Sequence, residues 1–231
     1  MKIEYAVKRI LRKHGKIDFL SRLNPDSSIM DAGCGNNSPF ITKQILPDCH
    51  YTGLDVGDYN QTKPLSADRY IVTTAEEFPA EIARFPEAFD AVISNHNLEH
   101  CDDRKATLEA MLNALKVGGK LFLSFPCEQS VSFPRRGGTL NYYDDPTHKF
   151  SPPNFQETLG AIEKRGFEIE YSEKNYSPKM LRFVGWVVEM FSRARNKCMT
   201  GTWAYYGFES IIIARKIKQV PSGGGAPPPA S

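Results

Sequence analysis

The alternation of short apolar runs with helical patterns between about residues 27 and 126 constrains the fold most strongly. The run from Ile29 to Ala32, ending at Gly33, is typical of a buried strand, whereas 106–115 carries Leu and Met at helical spacing. Strands separated by helices run parallel and are joined by crossovers. The pattern therefore predicts a doubly wound α/β sheet. Its first five strands are expected at 27–32, 51–55, 70–73, 89–94 and 120–125.

The chain after residue 150 supplies two more strands and bounds the domain. A helix is predicted from Pro152 to Arg165, followed by strands at 167–171 and 208–214. The glycine- and proline-rich end has no apolar periodicity and is expected to be flexible. We predict a helical cap at 1–24, one sheet domain at 25–218 with insertions near 127–150 and 176–202, and a flexible tail at 219–231.

Charge and cysteine content argue against several function classes, although a local basic patch stays compatible with them. The formal charge is only +2, so it gives no argument for nucleic-acid binding. The five cysteines form no C-x-x-C pair, which argues against a zinc knuckle or a disulfide framework. The first residues lack a secretory pattern, and no apolar stretch is long enough to span a membrane. We therefore expect a cytoplasmic protein.

A glycine turn follows the first predicted strand, and a carboxylate ends the second. Gly33 and Gly35 let backbone approach a ligand closely. Asp55 lies 20 residues after Gly35, where its carboxylate can accept hydrogen bonds from both hydroxyls of a ribose. Open α/β sheets bind ligands beyond these strand ends. The pattern favours a nucleoside ligand, although a turn-capping role for Asp55 is equally compatible with it.

Five segments in order resemble the motifs of the class I S-adenosylmethionine-dependent methyltransferases. The acidic residue and glycines of the first motif are matched at Asp31, Gly33 and Gly35, and Asn37 stands at the third glycine. Ser38 occupies the place where a nicotinamide-binding turn would have its last glycine or alanine. The five segments are 29–35, 53–55, 74–79, 89–100 and 112–126.

The resemblance implies a fold, a cofactor and a set of residues that contact it. The fold would be a seven-stranded, mostly parallel α/β sheet with one antiparallel strand at about 208–214. The cofactor would be S-adenosylmethionine, with its ammonium and amino-acid part near the first turn, its ribose on the second strand and its adenine at the third. The implied cofactor residues are Asp31, Gly33, Gly35, Asp55, Thr74, Ala75, Glu76 and Asn95.

The segment between the fifth strand and the next helix holds the candidates for acceptor chemistry. His148 is the predicted general base, because histidine is the residue type suited to proton transfer near neutral pH, with Asp145 or Asp144 orienting its ring. The H-x-K/R-F stretch here is similar to one in family members that act on sugars, lipids or small metabolites. The predicted acceptor-binding residues are Arg135, Arg136, Tyr142 and Tyr143.

The expected reaction is methyl transfer to a hydroxyl of a sugar or another polar small molecule. Methylation of an amine or a carboxylate on a small metabolite is the near alternative. A catalytically silent fold that binds the nucleoside and serves as a partner module is a second alternative, of a different class. Turnover of the donor separates the enzyme from the silent module.

One motif competes with the methyltransferase turn. Residues 96–100 satisfy H-x-x-E-H, in which His96 and His100 would share a zinc ion from one helix face. The methyltransferase motif explains Leu98, Glu99 and His100 without a metal, so no metal site is expected and His100 is assigned a structural or cofactor-side role.

Two segments combine apolar and basic residues, at 8–13 and at 180–197. Such segments pack on the sheet, cover the acceptor, form a homodimer contact or lie weakly on a membrane surface. Residues 5–23 are predicted to form one or two amphipathic helices.

Overall fold

Seven strands form one sheet in the computed structural model, which describes residues 2–59, 61, 63–148 and 150–218. The predicted tail at 219–231 lies outside the described residues. The strands are β1 (Ser28–Ala32), β2 (His50–Asp55), β3 (Arg69–Val72), β4 (Phe89–Asn95), β5 (Leu115–Pro126), β6 (Phe167–Tyr176) and β7 (Glu209–Lys216).

The strand order is β3-β2-β1-β4-β5-β7-β6. The pairs from β3 through β5 are parallel, and β7 is antiparallel to both β5 and β6. The predicted fold class, including the single antiparallel strand, is confirmed. Chain order reverses at β1, which has β2 on one side and β4 on the other, so the ligand crevice of such a sheet is expected there.

Helices cover both faces of the sheet. They are α1 (Ile3–Leu11), α2 (Lys16–Leu20), α3 (Ser38–Ile45), α4 (Phe78–Ala83), α5 (Arg104–Ala114), α6 (Phe155–Lys164), α7 (Lys179–Ala194) and α8 (Thr202–Tyr206). In the described part of the chain, no helix combines the length and apolarity needed to cross a membrane.

Two apolar layers form because successive side chains of each strand point to opposite faces. On β1, Met30 packs with α4, α5 and α6, whereas Ile29 packs with Tyr5 of α1 and Phe19 of α2. The predicted N-terminal helices are thereby held on one face of the sheet, beside the crevice.

Several element boundaries differ from the predictions. Helix α4 was not predicted, and β6 extends five residues further, to Tyr176. Strand β5 begins at Leu115 rather than at Lys120, because the left-handed Gly118 (φ +86°) belongs to an irregular stretch of the β4–β5 pairing and does not end the strand.

The two predicted insertions lie against each other. The N–H of Gly137 donates to the carbonyl of Asn196 (3.0 Å), and its own carbonyl accepts from the N–H of Cys198 (2.7 Å). Helix α7 of the second insertion approaches the start of α8 closely at Gly185, where a Cβ would lie 2.1 Å from the carbonyl oxygen of Gly201. The insertions therefore form one layer at the carboxyl edge of the sheet.

Candidate functional site

The glycine turn after β1 needs its glycines for two different reasons. Gly33 (φ +72°) lies under the turn that follows β4, and a Cβ there would lie 2.2 Å from the side chain of Asn97. Gly35 (φ +55°) faces open space, with no atom within 4 Å of its Cβ position. Gly33 thus permits packing of two loops, whereas Gly35 keeps a volume clear above the turn.

Asp55 fastens this turn to the end of β2. Its carboxylate accepts hydrogen bonds from the backbone N–H groups of Gly35 (2.6 Å) and Val56 (2.7 Å). The side chain is nearly inaccessible, and burial raises the pKa of the carboxyl although both hydrogen bonds oppose the shift. Asp55 therefore shapes the turn, and its contact with a ribose stays a prediction.

Asp31 is completely buried beneath the turn and is only half satisfied. Its Oδ2 accepts from the Lys16 ammonium (2.7 Å), the Ser38 hydroxyl (2.6 Å) and the Tyr51 hydroxyl (2.8 Å). Its Oδ1 is buried and has no hydrogen-bond partner among the described residues. Lys16 could not be found from the sequence, because this residue belongs to the N-terminal cap and reaches Asp31 only in the folded chain.

A cavity of about 910 Å³ opens above the glycine turn. The glycine turn and the end of β4 form its floor. The remaining wall is formed by α1, the start of α2 and two residues of the second insertion. It is lined by Glu4, Val7, Lys8, Leu11, Arg12, Gly15, Lys16, Ile17, Gly33, Cys34, Gly35, Asn36, Ser38, Ile41, Asn95, His96, Leu181 and Thr200. The N-terminal helices therefore roof the crevice, a role that the sequence did not indicate.

The predicted adenine residues are not part of the lining of this cavity. Thr74, Ala75 and Glu76 follow β3, and the Thr74 hydroxyl accepts from the N–H of Glu77 (3.2 Å). Asn95 does line the cavity, and its side-chain oxygen accepts from the Ser124 hydroxyl (3.1 Å).

His96 lines the cavity between two buried carboxylates. Its left-handed backbone (φ +52°) directs Nδ1 to Glu99 (3.1 Å) and Nε2 to Glu209 (3.2 Å). Burial opposes the charged imidazole, but the two carboxylates prevail and raise the pKa of His96 to about 10. Glu209 also binds Arg12 at the end of α1, which outweighs burial and lowers the pKa of Glu209 to about 2. His96 is thus held by ion pairs.

His100 and His148 meet at the same edge of the sheet, with ring centroids 4.7 Å apart. The ring of His148 stacks on Tyr142 (4.1 Å between centroids), and its Nδ1 hydrogen-bonds the carbonyl of Tyr142 (2.5 Å). The Nδ1 of His100 lies 2.9 Å from the hydroxyl of Thr147. The two histidines therefore form a pair that the sequence, with 47 residues between them, did not indicate.

The predicted contact of Asp145 with the His148 ring is wrong. Oδ1 of Asp145 accepts from the N–H (2.9 Å) and the hydroxyl (2.5 Å) of Thr147, which is two residues away and closes a local turn. The Thr147 hydroxyl thus lies between Asp145 and the Nδ1 of His100. The alternative, Asp144, accepts from the backbone N–H groups of Arg136 and Asn141.

Two predicted acceptor residues are engaged inside the protein. Arg136 is buried in a bidentate ion pair with Glu189 of α7, and Tyr142 is buried against His148. Neither side chain is free to grip an acceptor as predicted. Arg135 and Tyr143 are exposed on the same loop, and they stay candidates for acceptor contact.

The chain matches a known protein family and resembles curated proteins over part of their length. The sequence profile of the family described as "Methyltransferase domain" matches residues 5–172. A ubiquinone biosynthesis O-methyltransferase of Saccharophagus degradans is 31% identical over 107 residues, which cover 43% of this chain and 43% of that protein. Curated relatives are matched over only part of their length, such as 30% of an uncharacterized protein of Methanocaldococcus jannaschii.

Solved structures share the fold at low sequence identity. A chain of the Haloferax volcanii complex between the Trm112 methyltransferase activator and a methyltransferase superposes with a TM-score of 0.60 at 14% identity, covering 92% of this chain and 93% of that one. Phosphoethanolamine N-methyltransferase 2 of Haemonchus contortus, solved with S-adenosyl-L-methionine, superposes with a TM-score of 0.54 at 15% identity over 87% of this chain and 51% of that one.

Proposed function

The chain belongs to the methyltransferase domain family, and on that premise we propose that it transfers a methyl group to a hydroxyl oxygen of a sugar or another polar small molecule. The class I S-adenosylmethionine-dependent methyltransferase resemblance predicted from the motifs is confirmed by the family match. S-adenosylmethionine is accordingly the methyl donor. The single observation that carries the choice of a hydroxyl acceptor is the histidine pair at the carboxyl edge of the sheet.

The residues above the glycine turn fit such a donor. Gly35 leaves open volume where any side chain would project, and the cavity above it is large enough for a nucleoside with an amino-acid arm. Beneath the turn, Asp31 has one buried oxygen without a hydrogen-bond partner among the described residues. We assign the ribose hydroxyls to the Asp55 carboxylate, which already holds the turn through the N–H of Gly35. When bound, the donor supplies a methyl group already activated by the positive sulfonium. The protein's own contribution is then positioning and exclusion of water.

A hydroxyl acceptor requires a group that removes its proton, and His148 is placed to do so. Because Nδ1 of His148 is bonded to the Tyr142 carbonyl, that nitrogen carries the proton and Nε2 keeps its lone pair. Stacking on Tyr142 fixes the plane of the ring. An amine acceptor would not need this base. The name of the Saccharophagus relative, an O-methyltransferase, supports the same choice of acceptor atom.

Replacing His148 by alanine tests the function directly. We expect turnover on a hydroxyl acceptor to fall about a hundredfold, because general-base assistance is worth roughly that much. The acceptor is first found by incubating radiolabelled S-adenosylmethionine with sugars, nucleotide sugars and phenols. Donor affinity, measured by calorimetry, should stay unchanged since His148 does not line the donor cavity.

An unchanged rate in the His148→Ala variant would remove this residue from the mechanism. Release of S-adenosylhomocysteine only with amines or carboxylates would favour the alternative acceptors. Donor binding without turnover on any acceptor would favour the silent nucleoside-binding module.

We also propose that the exposed face of α7 rests weakly on an anionic membrane surface. Six apolar side chains of this helix are between 50% and 75% exposed and repeat at helical spacing: Met180, Phe183, Trp186, Val187, Met190 and Phe191. Exposed basic residues flank them, namely Arg182, Arg193 and Arg195. Apolar and cationic side chains together favour a lipid interface, and Leu181 of the same helix lines the donor cavity.

Vesicle sedimentation checks this surface. We expect the protein to sediment with phosphatidylglycerol-containing vesicles at low salt, and the Trp186→Glu variant to stay in the supernatant. Val117→Glu changes an equally exposed apolar residue on β5 and serves as the control. Absence of sedimentation of the wild type refutes the lipid contact. A wild-type dimer that Trp186→Glu converts to a monomer assigns the face to a second copy of the chain.

A further inference from the structure

Glu99, His100 and His148 form a cluster that the proposed function only partly uses. One ligand atom from each of the three residues lies within 4.8 Å of the other two. Glu99 is buried, and the two histidines are half-buried, so the cluster is reachable from solvent. We propose that these three side chains bind one divalent transition-metal ion at the carboxyl edge of the sheet.

Both histidines have a nitrogen that is available to a metal. His148 donates its Nδ1 proton to the Tyr142 carbonyl, so its Nε2 is unprotonated. Thr147 gives its hydroxyl proton to Asp145, so its oxygen can only accept from Nδ1–H of His100. Nε2 of His100 is therefore unprotonated as well. Metal-binding histidines characteristically donate the other ring N–H to a carbonyl, a carboxylate or a bridging group in this way.

Glu99 contributes a buried oxygen with nothing to bind. Its Oε1 is held by Nδ1 of His96, whereas its Oε2 is buried and lacks a hydrogen-bond partner among the described residues. A buried, unpaired acceptor of a carboxylate is costly unless a cation or a donor satisfies it. Because the neighbouring histidine nitrogens have no proton to donate, a cation satisfies all three atoms at once.

Two imidazoles and one carboxylate are a ligand set of catalytic zinc and other first-row metal sites, which keep an open position. Ligand atoms around one zinc ion lie about 3–3.5 Å apart, so the three ligand atoms, now within 4.8 Å of one another, must move closer together to hold one ion. The ion differs from the one suggested by the H-x-x-E-H pattern. Both ring nitrogens of His96 are engaged by the carboxylates of Glu99 and Glu209, and His148 from the distant loop takes its place as the second histidine.

The role of this ion in catalysis rests on the proposed function. A cation at the open position would hold an acceptor hydroxyl and favour its ionised form, with the proton passing to solvent. With the ion bound, His148 is a ligand; without it, His148 is a free base. Binding of the ion can be measured with neither donor nor acceptor present, so the two proposals fail independently.

Cobalt titration tests the site on the full chain after removal of metals with a chelator. Wild-type protein should bind one equivalent of Co²⁺ with a visible absorption band, and Zn²⁺ should displace it. The affinity should drop at least a hundredfold in Glu99→Gln and in His148→Ala, because each loses a ligand. His50→Ala removes an exposed histidine at the amino end of β2 and should bind Co²⁺ as the wild type does.

A matched pair at Thr147 keeps the test valid if a ligand variant fails to fold. This side chain is exposed and reaches the cluster only through His100, so either change should preserve the fold. Thr147→Val removes the relay to Asp145 and should weaken Co²⁺ binding about 10–100-fold. Thr147→Ser keeps the hydroxyl and should restore wild-type affinity.

Three results would overturn the metal site. These are the absence of a saturable Co²⁺ band in the wild type, a thiolate charge-transfer band that places the ion at a cysteine, and wild-type affinity in both Glu99→Gln and His148→Ala. Equal affinity in Thr147→Val and Thr147→Ser would refute the relay through Thr147. If no metal binds and hydroxyls are still methylated equally with and without chelator, the metal site is refuted and the proposed function stands. If the protein binds Co²⁺ but transfers no methyl group, the metal site stands and the proposed function is refuted.

Discussion

Replacing Glu189 by alanine is expected to lower the free energy of unfolding by about 3–5 kcal/mol, since it leaves a buried guanidinium unpaired. Glu189 is 8% exposed and Arg136 6% exposed. The two are joined by hydrogen bonds of 2.8 and 3.0 Å, and Tyr206 donates a further one to Glu189 (2.7 Å). The pair fastens α7 to the loop between β5 and α6. Urea denaturation measures the loss.

Arg193→Ala is the matched control for this pair. Arg193 also reaches Glu189, at 3.8 Å, but its side chain is 75% exposed. Its removal should cost at most about 0.5 kcal/mol, as for other surface ion pairs. The double change Arg136→Met with Glu189→Leu should recover most of the stability, because it removes both buried charges. A loss below about 1 kcal/mol in Glu189→Ala would show that Arg136 is rehydrated when its partner is removed.

Replacing Gly35 by leucine is expected to weaken S-adenosylmethionine binding about a thousandfold, which corresponds to roughly 4 kcal/mol. The Cβ position of Gly35 meets no protein atom within 4 Å, so a leucine side chain would project into the cavity that we propose for the donor. The left-handed backbone at this position adds a strain of about 1–2 kcal/mol to the folded state. Calorimetric titration with the donor measures the affinity.

Gly118→Leu separates blockage from strain. Gly118 is also left-handed (φ +86°) and also has open space at its Cβ position, but it lies at the start of β5 in solvent. This variant should share the loss of stability and keep the wild-type donor affinity. Equal donor affinities in the two leucine variants would mean that the donor does not lie above the first glycine turn.

Much of the fold followed from periodicity, because a buried parallel strand leaves an uninterrupted apolar run. The stretch around Ile29 and that around Val92 carry this signal, and both strands were predicted within about one residue. Helix α4 was not predicted because its six residues are too few to display a helical repeat of apolar side chains. Strand β6 was cut short because Lys174 and Asn175 in its second half are unusual for strands.

Some residues of the candidate site could be predicted from local sequence, and others could not. Local sequence determined the glycine turn and the carboxylate at the end of β2, since a left-handed turn and a strand end leave signatures within a few residues. Only the tertiary structure decided which side chains meet from distant segments. It placed Lys16 on Asp31, buried Arg136 against Glu189, turned His96 toward Glu209 and brought His148 to His100 and Glu99. These contacts join residues 15 to 113 positions apart, and pairing over such distances depends on the packing of whole elements rather than on any local pattern.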